Sequence, residues 1–149
     1  MHTPATPLFP ELPQAGQPFA DVATAGQPSP EQLRAAKAHG LRRIVNLRPH
    51  SEPIGFDEAA VAAELGIDYV NIPVAGPGDL SADKARALDA ALRDAGGPVL
   101  VHCASSNRVG ALFALRAQQQ GQSAEAALEV GRAAGLRAME PVVRQLLGA

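Results

Sequence analysis

The short run VLVH, Val99 to His102, restricts the fold of this chain more than any other feature. It is too apolar for a strand with one face in water, and it is typical of a central strand that is covered on both faces. Gly96-Gly97-Pro98 ends the segment before it, and the polar stretch that begins at Cys103 ends the strand. Such a strand needs neighbouring strands on both sides and helices above and below the sheet.

Other short runs predict three neighbouring strands, at residues 21–25, 43–47 and 67–72. Helix signals follow each of them, namely a capping residue, an acidic first turn and a terminal glycine or proline. The predicted helices cover residues 30–39, 57–65, 81–95 and, beyond 108, a segment that reaches almost to the C-terminus with breaks near 121, 135 and 141.

Strands that alternate with helices through short turns imply a mostly parallel sheet with right-handed crossovers. The sequence therefore predicts an α/β fold. Its mostly parallel central sheet should have about four to five strands, flanked by helices, and the C-terminal end should form a helical cap.

The chain of 149 residues is long enough for one domain with a real core and short for two. We expect a single domain over residues 19–149 and, before it, a proline-rich arm over residues 1–18. Prolines at positions 4, 7, 10, 13 and 18 are spaced so that they should prevent both helix formation and strand pairing. The arm should therefore lie extended on the surface or be left mobile.

Bulk charge disfavours two classes of partner. The formal net charge is -2 and 19% of the residues are charged, so we expect neither a nucleic acid nor a membrane surface as a partner. No apolar stretch is long enough to cross a bilayer, and the N-terminus lacks the basic start and apolar core of a secretory signal. We therefore expect a cytoplasmic protein. The sequence patterns do not indicate which oligomeric state the protein has.

Cys103 is the only cysteine, so it can form neither an internal disulfide nor a zinc cluster with a second cysteine. His2 and His39 show no spacing that suits metal ligands. We predict no metal and no cofactor.

The segment CASSNR, residues 103–108, joins the predicted central strand to the next helix. Ligands of parallel sheets bind at the carboxyl ends of the strands, where such helices begin. Small residues in this segment allow successive backbone N–H groups to face one concavity, which would bind an oxyanion. The predicted phosphate-binding residues are Ala104, Ser105, Ser106, Asn107 and Arg108.

Cys103 and Arg108 are the candidate reacting groups. Aligned N–H groups, a helix N-terminus and a nearby guanidinium favour the thiolate form of a cysteine, which would make Cys103 a nucleophile. Arg108 offers five donors in a planar fork that matches two oxygens of a phosphoryl group. Phosphoryl transfer to sulfur fits both groups. Residue chemistry alone is equally consistent with two non-catalytic roles, in which Cys103 is a buried core residue and Arg108 forms an ion pair at the surface.

Four stretches extend this pattern, TAGQPSPEQL at 24–33, IVNLRP at 44–49, YVNIPV at 69–74 and VHCASSNRVGAL at 101–112. They resemble the cysteine-dependent tyrosine and dual-specificity phosphatases. More narrowly, they resemble the bacterial phosphatase-like domains related to the N-terminal part of beta-lactamase hydrolase-like proteins. The resemblance covers about residues 20–120. It implies a cysteine-phosphatase-like fold and hydrolysis of a phosphate monoester, on a small molecule or a protein, through a cysteinyl-phosphate intermediate.

Two departures from that pattern keep alternatives open. Four residues separate Cys103 from Arg108, where the tyrosine phosphatases usually have one more. Rhodanese-type sulfurtransferases use the shorter loop, with a persulfide on the cysteine. Val109 stands where phosphatases of this type usually carry Ser or Thr. The alternatives are a rhodanese-type sulfurtransferase that uses a Cys103 persulfide, or a catalytically weak protein that binds phosphate or another oxyanion.

The resemblance also implies a general acid. Phosphatases of this type protonate the leaving oxygen with an aspartate from a mobile loop after the preceding strand. Here the loop of residues 73–80 has Asp79 as its only carboxylate. The predicted catalytic residues are thus Cys103, Arg108 and Asp79, although Asp79 could instead cap the following helix.

Arg48 and His102 are predicted at the rim of the site. Arg48 follows the strand of residues 43–47 and should therefore emerge at the same sheet edge as Cys103. His102 directly precedes Cys103 in the sequence.

Overall fold

A computed structural model describes residues 8–9 and 11–149, in which one five-stranded sheet lies between two layers of helices. The strands are β1 (Gly16–Phe19), β2 (Val22–Ala25), β3 (Arg43–Asn46), β4 (Asp68–Asn71) and β5 (Val99–His102). The helices are α1 (Pro30–Ala38), α2 (Glu58–Leu65), α3 (Ala82–Leu92), α4 (Asn107–Gln119), α5 (Ala124–Ala134) and α6 (Glu140–Leu147). A short 3-10 turn, Pro77–Asp79, lies between β4 and α3.

The order of the strands confirms the α/β prediction and the central place of VLVH. The sheet runs β1-β2-β5-β3-β4, and every neighbouring pair is parallel except β1 with β2. His102 pairs with Ala25 on one side and with Asn46 on the other. The carboxyl ends of three neighbouring strands therefore meet at one level, and the loop after β5 begins between two supporting strands.

Alternation along β5 divides its side chains between two cores. Val99 and Val101 contribute to the core under α3–α6, and Cys103 continues that series, whereas Leu100 lies in the core under α1 and α2. His102 follows Leu100 on the α1 and α2 side. Cys103 and the preceding His102 thus face opposite layers of helices.

The prediction that the proline-rich segment cannot pair in a sheet is wrong for its last residues. Residues 16–18 belong to β1, which pairs antiparallel with β2 through an irregular register. Pro18 is tolerated because β1 is an edge strand, where a residue without an N–H group can face away from the ladder. Phe9 and Leu12 are buried in the core that includes α1. Residues 1–7 and 10 of the predicted arm lie outside the described residues.

The predicted helical cap is present as α4, α5 and α6, and glycines allow α4 and α5 to approach closely. A Cβ on Gly110 would lie 2.2 Å from the backbone nitrogen of Leu136 and 2.7 Å from the carbonyl oxygen of Gly131. The helix that starts at the loop after β5, α4, is therefore fixed against α5 and the residues that follow it. Within residues 8–9 and 11–149, no helix has the length and apolar character that crossing a bilayer requires.

Replacing Gly110 by Ala should destabilise the fold by about 3 kcal/mol, because the added methyl group meets backbone atoms that have no room to move. Gly76→Ala is the matched control, since a Cβ there has no neighbour within 4 Å. Its free energy of unfolding should stay within about 0.5 kcal/mol of the wild type. Urea unfolding followed by circular dichroism measures both, and equal midpoints for the two variants would contradict the close packing of α4 on α5.

Candidate active site

The loop between β5 and α4 is held on one side by the turn that follows β2. The N–H of Cys103 donates to the carbonyl of Ala25 at 3.3 Å, and the N–H of Gln27 donates to the carbonyl of Ala104 at 3.2 Å. Gly26 permits this approach, because a Cβ there would lie 2.7 Å from the carbonyl oxygen of Ala104. The β2–α1 turn therefore limits the conformations of the loop.

Ser106 turns the loop into α4. Its φ of 71° lies in the left-handed region, which residues other than glycine rarely adopt. Its hydroxyl donates to the carbonyl of Gln14 at 3.0 Å. Asn107 is held from the other end of the chain, because its Oδ1 accepts the N–H of Arg137 at 2.8 Å. Changes of backbone handedness of this kind turn successive N–H groups toward one side.

Several backbone donors of the loop are unused. In the part of the chain that the structure describes, the N–H groups of Ala104, Ser105, Asn107 and Arg108 donate no hydrogen bond to another backbone group. Unpaired N–H groups at the start of a helix combine with the helix dipole to favour an anion. This stretch of loop therefore has the donors that an oxyanion needs.

Cys103 lies beneath the loop, and the open concavity that we predicted at its sulfur is closed in this conformation. The residue is 0% exposed and packs in the core under α3–α6. The pKa of Arg108 is raised most by its hydrogen bond to Glu52 and further by Cys103, so the guanidinium lies near the sulfur. An anion can reach the sulfur only when the residues that cover it move apart.

Arg108 uses three of its five N–H donors in hydrogen bonds within the protein. Nη1 donates to Glu52 Oε2 at 2.7 Å and to the carbonyl of Val74 at 2.9 Å, and Nη2 donates to Glu52 Oε1 at 3.1 Å. A guanidinium has five N–H donors, so these three contacts leave the Nε–H and one Nη2–H. The two remaining donors share one edge of the fork, which is the arrangement that binds two oxygens of a single anion.

Glu52 holds Arg108 in place and is itself held by a second arginine. Arg48 Nε donates to Glu52 Oε1 at 3.0 Å. The hydrogen bond from Arg108 lowers the pKa of Glu52 most, burial acts in the opposite direction, and the charge of Arg108 and the contact with Arg48 lower it further. The bond to Glu52 is in turn the largest cause that raises the pKa of Arg108. Glu52 is therefore ionised near neutral pH and cannot donate a proton to a leaving group.

Arg48 emerges at the carboxyl edge of the sheet, as its position after β3 predicts. Its Nη1 donates to Gln27 Oε1 at 3.1 Å in addition to the bond with Glu52. It therefore acts on the loop through other side chains, and its contact with Arg108 runs through Glu52.

The prediction that His102 lies at the rim is wrong. His102 is fully buried, with Nε2 2.5 Å from Glu58 Oε2 and Nδ1 3.3 Å from the carbonyl oxygen of Cys103. The physical reason is the alternation along β5, which directs residue 102 into the layer of α1 and α2. Glu58, the first residue of α2, is its partner there.

Asp79 lies in the predicted loop, where its carboxylate closes the loop on itself. Oδ2 accepts the N–H of Ala75 at 2.8 Å, and Oδ1 lies 4.0 Å from Nζ of Lys84. Asp79 does not cap α3, because the side chain of Ser81 accepts the N–H of Lys84 at that position. The loop does reach Arg108 through the carbonyl of Val74.

A cleft of about 530 Å³ adjoins these residues. Its walls include Arg48, Glu52 and Glu58, together with His50 and Tyr69, whose rings lie 6.4 Å apart at an angle of 19°. Burial raises the pKa of Tyr69, the hydrogen bond from Asn46 opposes that effect, and the charges of Glu58 and Asp57 add to it. Among the described residues, no group of three or more His, Cys, Asp and Glu side chains could hold a metal ion.

Glu52 and Glu58 carry contacts for which the sequence provides little signal. Glu52 follows Pro49 in a loop, where an exposed carboxylate is common. Glu58 stands in the first turn of a predicted helix, where acidic residues are favoured by the helix dipole alone. Only the expectation that residues after β3 emerge beside Cys103 could have indicated Glu52.

Comparison with known proteins agrees with this geometry. Residues 19–121 match the family of the phosphatase-like domain of beta-lactamase hydrolase-like protein. The chain is 37% identical over 95 residues to the beta-lactamase hydrolase-like protein of Agrobacterium fabrum, which is 61% of this chain and 22% of that protein. It thus spans about a fifth of the length of the curated relatives it matches.

Solved structures show the same architecture. A phosphatase-like protein of Shewanella putrefaciens superposes with a TM-score of 0.73 at 25% identity, over 95% of this chain and 93% of that chain. Tk-PTP in its active form superposes with a TM-score of 0.68 at 20% identity, over 91% and 97% of the two chains. This protein therefore has the cysteine-phosphatase fold, and it belongs to the family of phosphatase-like domains of beta-lactamase hydrolase-like proteins.

Proposed function

We propose that this protein is a cysteine-dependent phosphatase that hydrolyses a phosphate monoester, on a small molecule or a protein, with Cys103 as nucleophile and Arg108 as phosphoryl clamp. The observation that carries the proposal is the free edge of Arg108. Glu52 and Val74 take three of its donors and leave Nε–H and one Nη2–H on one side. Cys103 is close enough to add to the raised pKa of Arg108, after the larger effect of Glu52. The unpaired N–H groups of the loop supply further donors for the same anion.

The chemistry has two steps. In the first, the Cys103 thiolate attacks phosphorus, the P–O bond of the ester breaks, and the leaving oxygen takes a proton from Asp79. In the second, water attacks phosphorus and gives a proton to the Asp79 carboxylate, the S–P bond breaks, and inorganic phosphate leaves as the thiolate re-forms. In both steps the loop donors and Arg108 bind the equatorial oxygens, where negative charge is stabilised most.

The proposed reaction requires two movements. The residues that cover Cys103 must open, because its side chain has no exposed surface in this conformation. Asp79 must leave the N–H of Ala75 and reach the leaving oxygen. A Cβ added at Gly76 or Gly78 would meet no atom within 4 Å, so the loop has room to change shape.

Val109 bears on the second step. It is fully buried in α4 and offers no hydroxyl near the loop. Hydrolysis of the cysteinyl-phosphate intermediate is therefore expected to be slower than formation of that intermediate.

Cys103→Ser should reduce hydrolysis of an aryl phosphate at least about a thousandfold, because the hydroxyl is a poor nucleophile without a base to activate it. The measurement is the steady-state release of the phenol. Calorimetry measures the binding of inorganic phosphate to the variant. Arg116→Lys, on the same helix but paired with Asp89, is the control and should keep its activity.

Transfer of sulfur from thiosulfate to cyanide is measured in parallel. Sulfur transfer without phosphate release would replace the proposal by the sulfurtransferase alternative. Phosphate binding without any turnover above Cys103→Ser would replace it by the oxyanion-binding alternative.

Glu52→Gln should lower kcat/KM about tenfold or more, because Arg108 loses the carboxylate that fixes the direction of its free edge. Glu140→Gln is the matched control. Glu140 also accepts from two arginines, Arg132 at 2.8 Å and Arg144 at 3.3 Å, and those arginines likewise lower its pKa. Loss of activity in both variants, or in neither, would contradict a specific role for Glu52.

The same pair of variants gives a pH dependence of stability. The pKa of Glu52 is lowered in the folded protein from its ordinary value of 4.5, so its ion pair stabilises the fold above that pH. This contribution is lost as the pH falls through the lowered pKa. The urea midpoint of Glu52→Gln should therefore lie below that of the wild type near pH 7 and approach it near pH 3.

Asp79→Asn tests the general acid. An amide can still accept the N–H of Ala75, so the loop keeps its shape, but it cannot donate the proton. The wild-type rate should fall on the basic side as the acid loses its proton, and Asp79→Asn should be slower and lack that limb. A profile identical to that of the wild type would remove Asp79 from the mechanism.

A further inference from the structure

His102 and Glu58 form a buried acid–imidazole pair directly behind the proposed nucleophile. The exposed fractions are 0% for His102 and 3% for Glu58. Glu58 Oε1 also accepts from Gln27 Nε2 at 2.7 Å, so both of its oxygens are engaged. Neither residue takes part in the chemistry described above, yet burial of two titratable groups is costly unless each has a partner.

The hydrogen-bond partners define which nitrogen of His102 carries a proton. The carbonyl oxygen of Cys103, 3.3 Å from Nδ1, can only accept, so Nδ1 must carry the proton for this contact to be favourable. The contact of Nε2 with Glu58 Oε2 at 2.5 Å then needs a second proton, on Nε2 or on the carboxyl group, so the pair holds two protons. In either arrangement Glu58 orients the ring and leaves the first proton on Nδ1. Without it, the proton could move to Nε2 and the contact with Cys103 would be lost.

The contact with Cys103 affects the loop through one peptide unit. The carbonyl of Cys103 and the N–H of Ala104 belong to the same peptide group. A hydrogen bond to the carbonyl polarises that group and makes its N–H a stronger donor. The N–H of Ala104 is the first of the unused donors beside the sulfur.

We propose that Glu58 is a positioning residue for Cys103: through His102 it orients and polarises the first peptide group of the loop, and so stabilises the thiolate. The effect on turnover rests on the proposed function, but the effect on the thiolate does not. The arrangement joins the loop to the cleft, because Glu58 lines the cleft and Gln27 connects it to Arg48.

Other charged and titratable groups face this pair and its surroundings. Asp57 and Tyr69 lie near Glu58, as the pKa shift of Tyr69 indicates. Arg48 contacts Gln27 on the same side, and Arg108 with its partner Glu52 lies beside Cys103. Because these charges surround the thiol, the effect of a change in charge alone on the thiolate fraction has a known sign. Removing a carboxylate near a thiol should favour the thiolate.

The test is a pH titration of the ultraviolet thiolate absorbance in the wild type, Glu58→Ala, Glu58→Gln and Asp57→Asn. The chain has one cysteine, so the signal reports Cys103 alone, and its single tyrosine titrates at higher pH. Glu58→Ala should reduce the thiolate fraction near neutral pH about tenfold. Glu58→Gln should lose about threefold or less, because its amide can still bond Nε2 and keep the proton on Nδ1.

Asp57→Asn is the matched control for charge. It removes a carboxylate from the same helix start, and asparagine still caps the N–H of Ala60. Its thiolate fraction should stay equal or rise. An unchanged or larger thiolate fraction in folded Glu58→Ala, or equal losses in Glu58→Ala and Glu58→Gln, would overturn the proposal. Urea midpoints identify a variant that fails to fold. If Glu58→Ala fails, the comparison of Glu58→Gln with His102→Asn decides. Asparagine at position 102 can donate to Cys103 but cannot reach Glu58, so His102→Asn should lose more of the thiolate fraction than Glu58→Gln.

The outcome separates this proposal from the proposed function. If no phosphate ester is hydrolysed but the titrations follow the expected order, the role of Glu58 stands and phosphatase activity does not. If the enzyme is active and the titrations coincide, phosphatase activity stands and the role of Glu58 does not.

Discussion

The ion pair between Glu52 and Arg108 is the interaction on which the geometry of the site depends. An arginine at the second position of a helix has many accessible rotamers, and fixing one of them costs conformational entropy. The carboxylate of Glu52 and the carbonyl of Val74 offset that cost by accepting three hydrogen bonds. They come from the segments after β3 and β4, so two loops of the sheet edge together determine where the guanidinium points.

The same edge joins these residues in one hydrogen-bonded series. Glu52 connects Arg108 to Arg48, Arg48 connects to Gln27, Gln27 connects to Glu58, and Glu58 connects to His102. Charges of opposite sign alternate along most of this series, which lowers the cost of holding them at a partly buried surface. Arg48 and Glu52 share the loop after β3, and the other members come from separate parts of the sequence. The series can form because the carboxyl ends of β2, β5 and β3 lie at one level.

The sequence predicts the fold better than it predicts the contacts of individual side chains. VLVH, RIVNL and IDYVNI are apolar enough to identify three of the strands, and capping residues such as Ser29 and Ser81 identify helix starts. The position of Cys103 after a central strand follows from the topology. The proline pattern hides the edge strand at residues 16–19, because it indicates that pairing is impossible, whereas a strand at the edge needs partners on one side only.

The burial of His102 follows from the alternation along β5, whereas the pairing of Glu52 depends on long-range packing that no local pattern encodes. Adjacency to Cys103 in the sequence suggests that His102 shares its surroundings, but neighbouring residues of a strand face opposite sides of the sheet. Glu52 and Arg108 are 56 positions apart. Their contact requires the crossover from β3 to β5, and a single sequence gives no direct measure of such a distance.

The loop at Cys103 also has supports beyond the segment that defines the family. The family match begins at residue 19 and ends at residue 121. Ser106, however, donates a hydrogen bond to Gln14, and Asn107 accepts one from Arg137, and both partners lie outside that range. A fragment trimmed to the shared segment would keep every proposed reacting group but would lose the hydrogen bonds that support the loop from both flanks. Minimal versions of this domain should therefore be designed from the contacts of the loop, with both flanks retained, and not from the extent of sequence similarity.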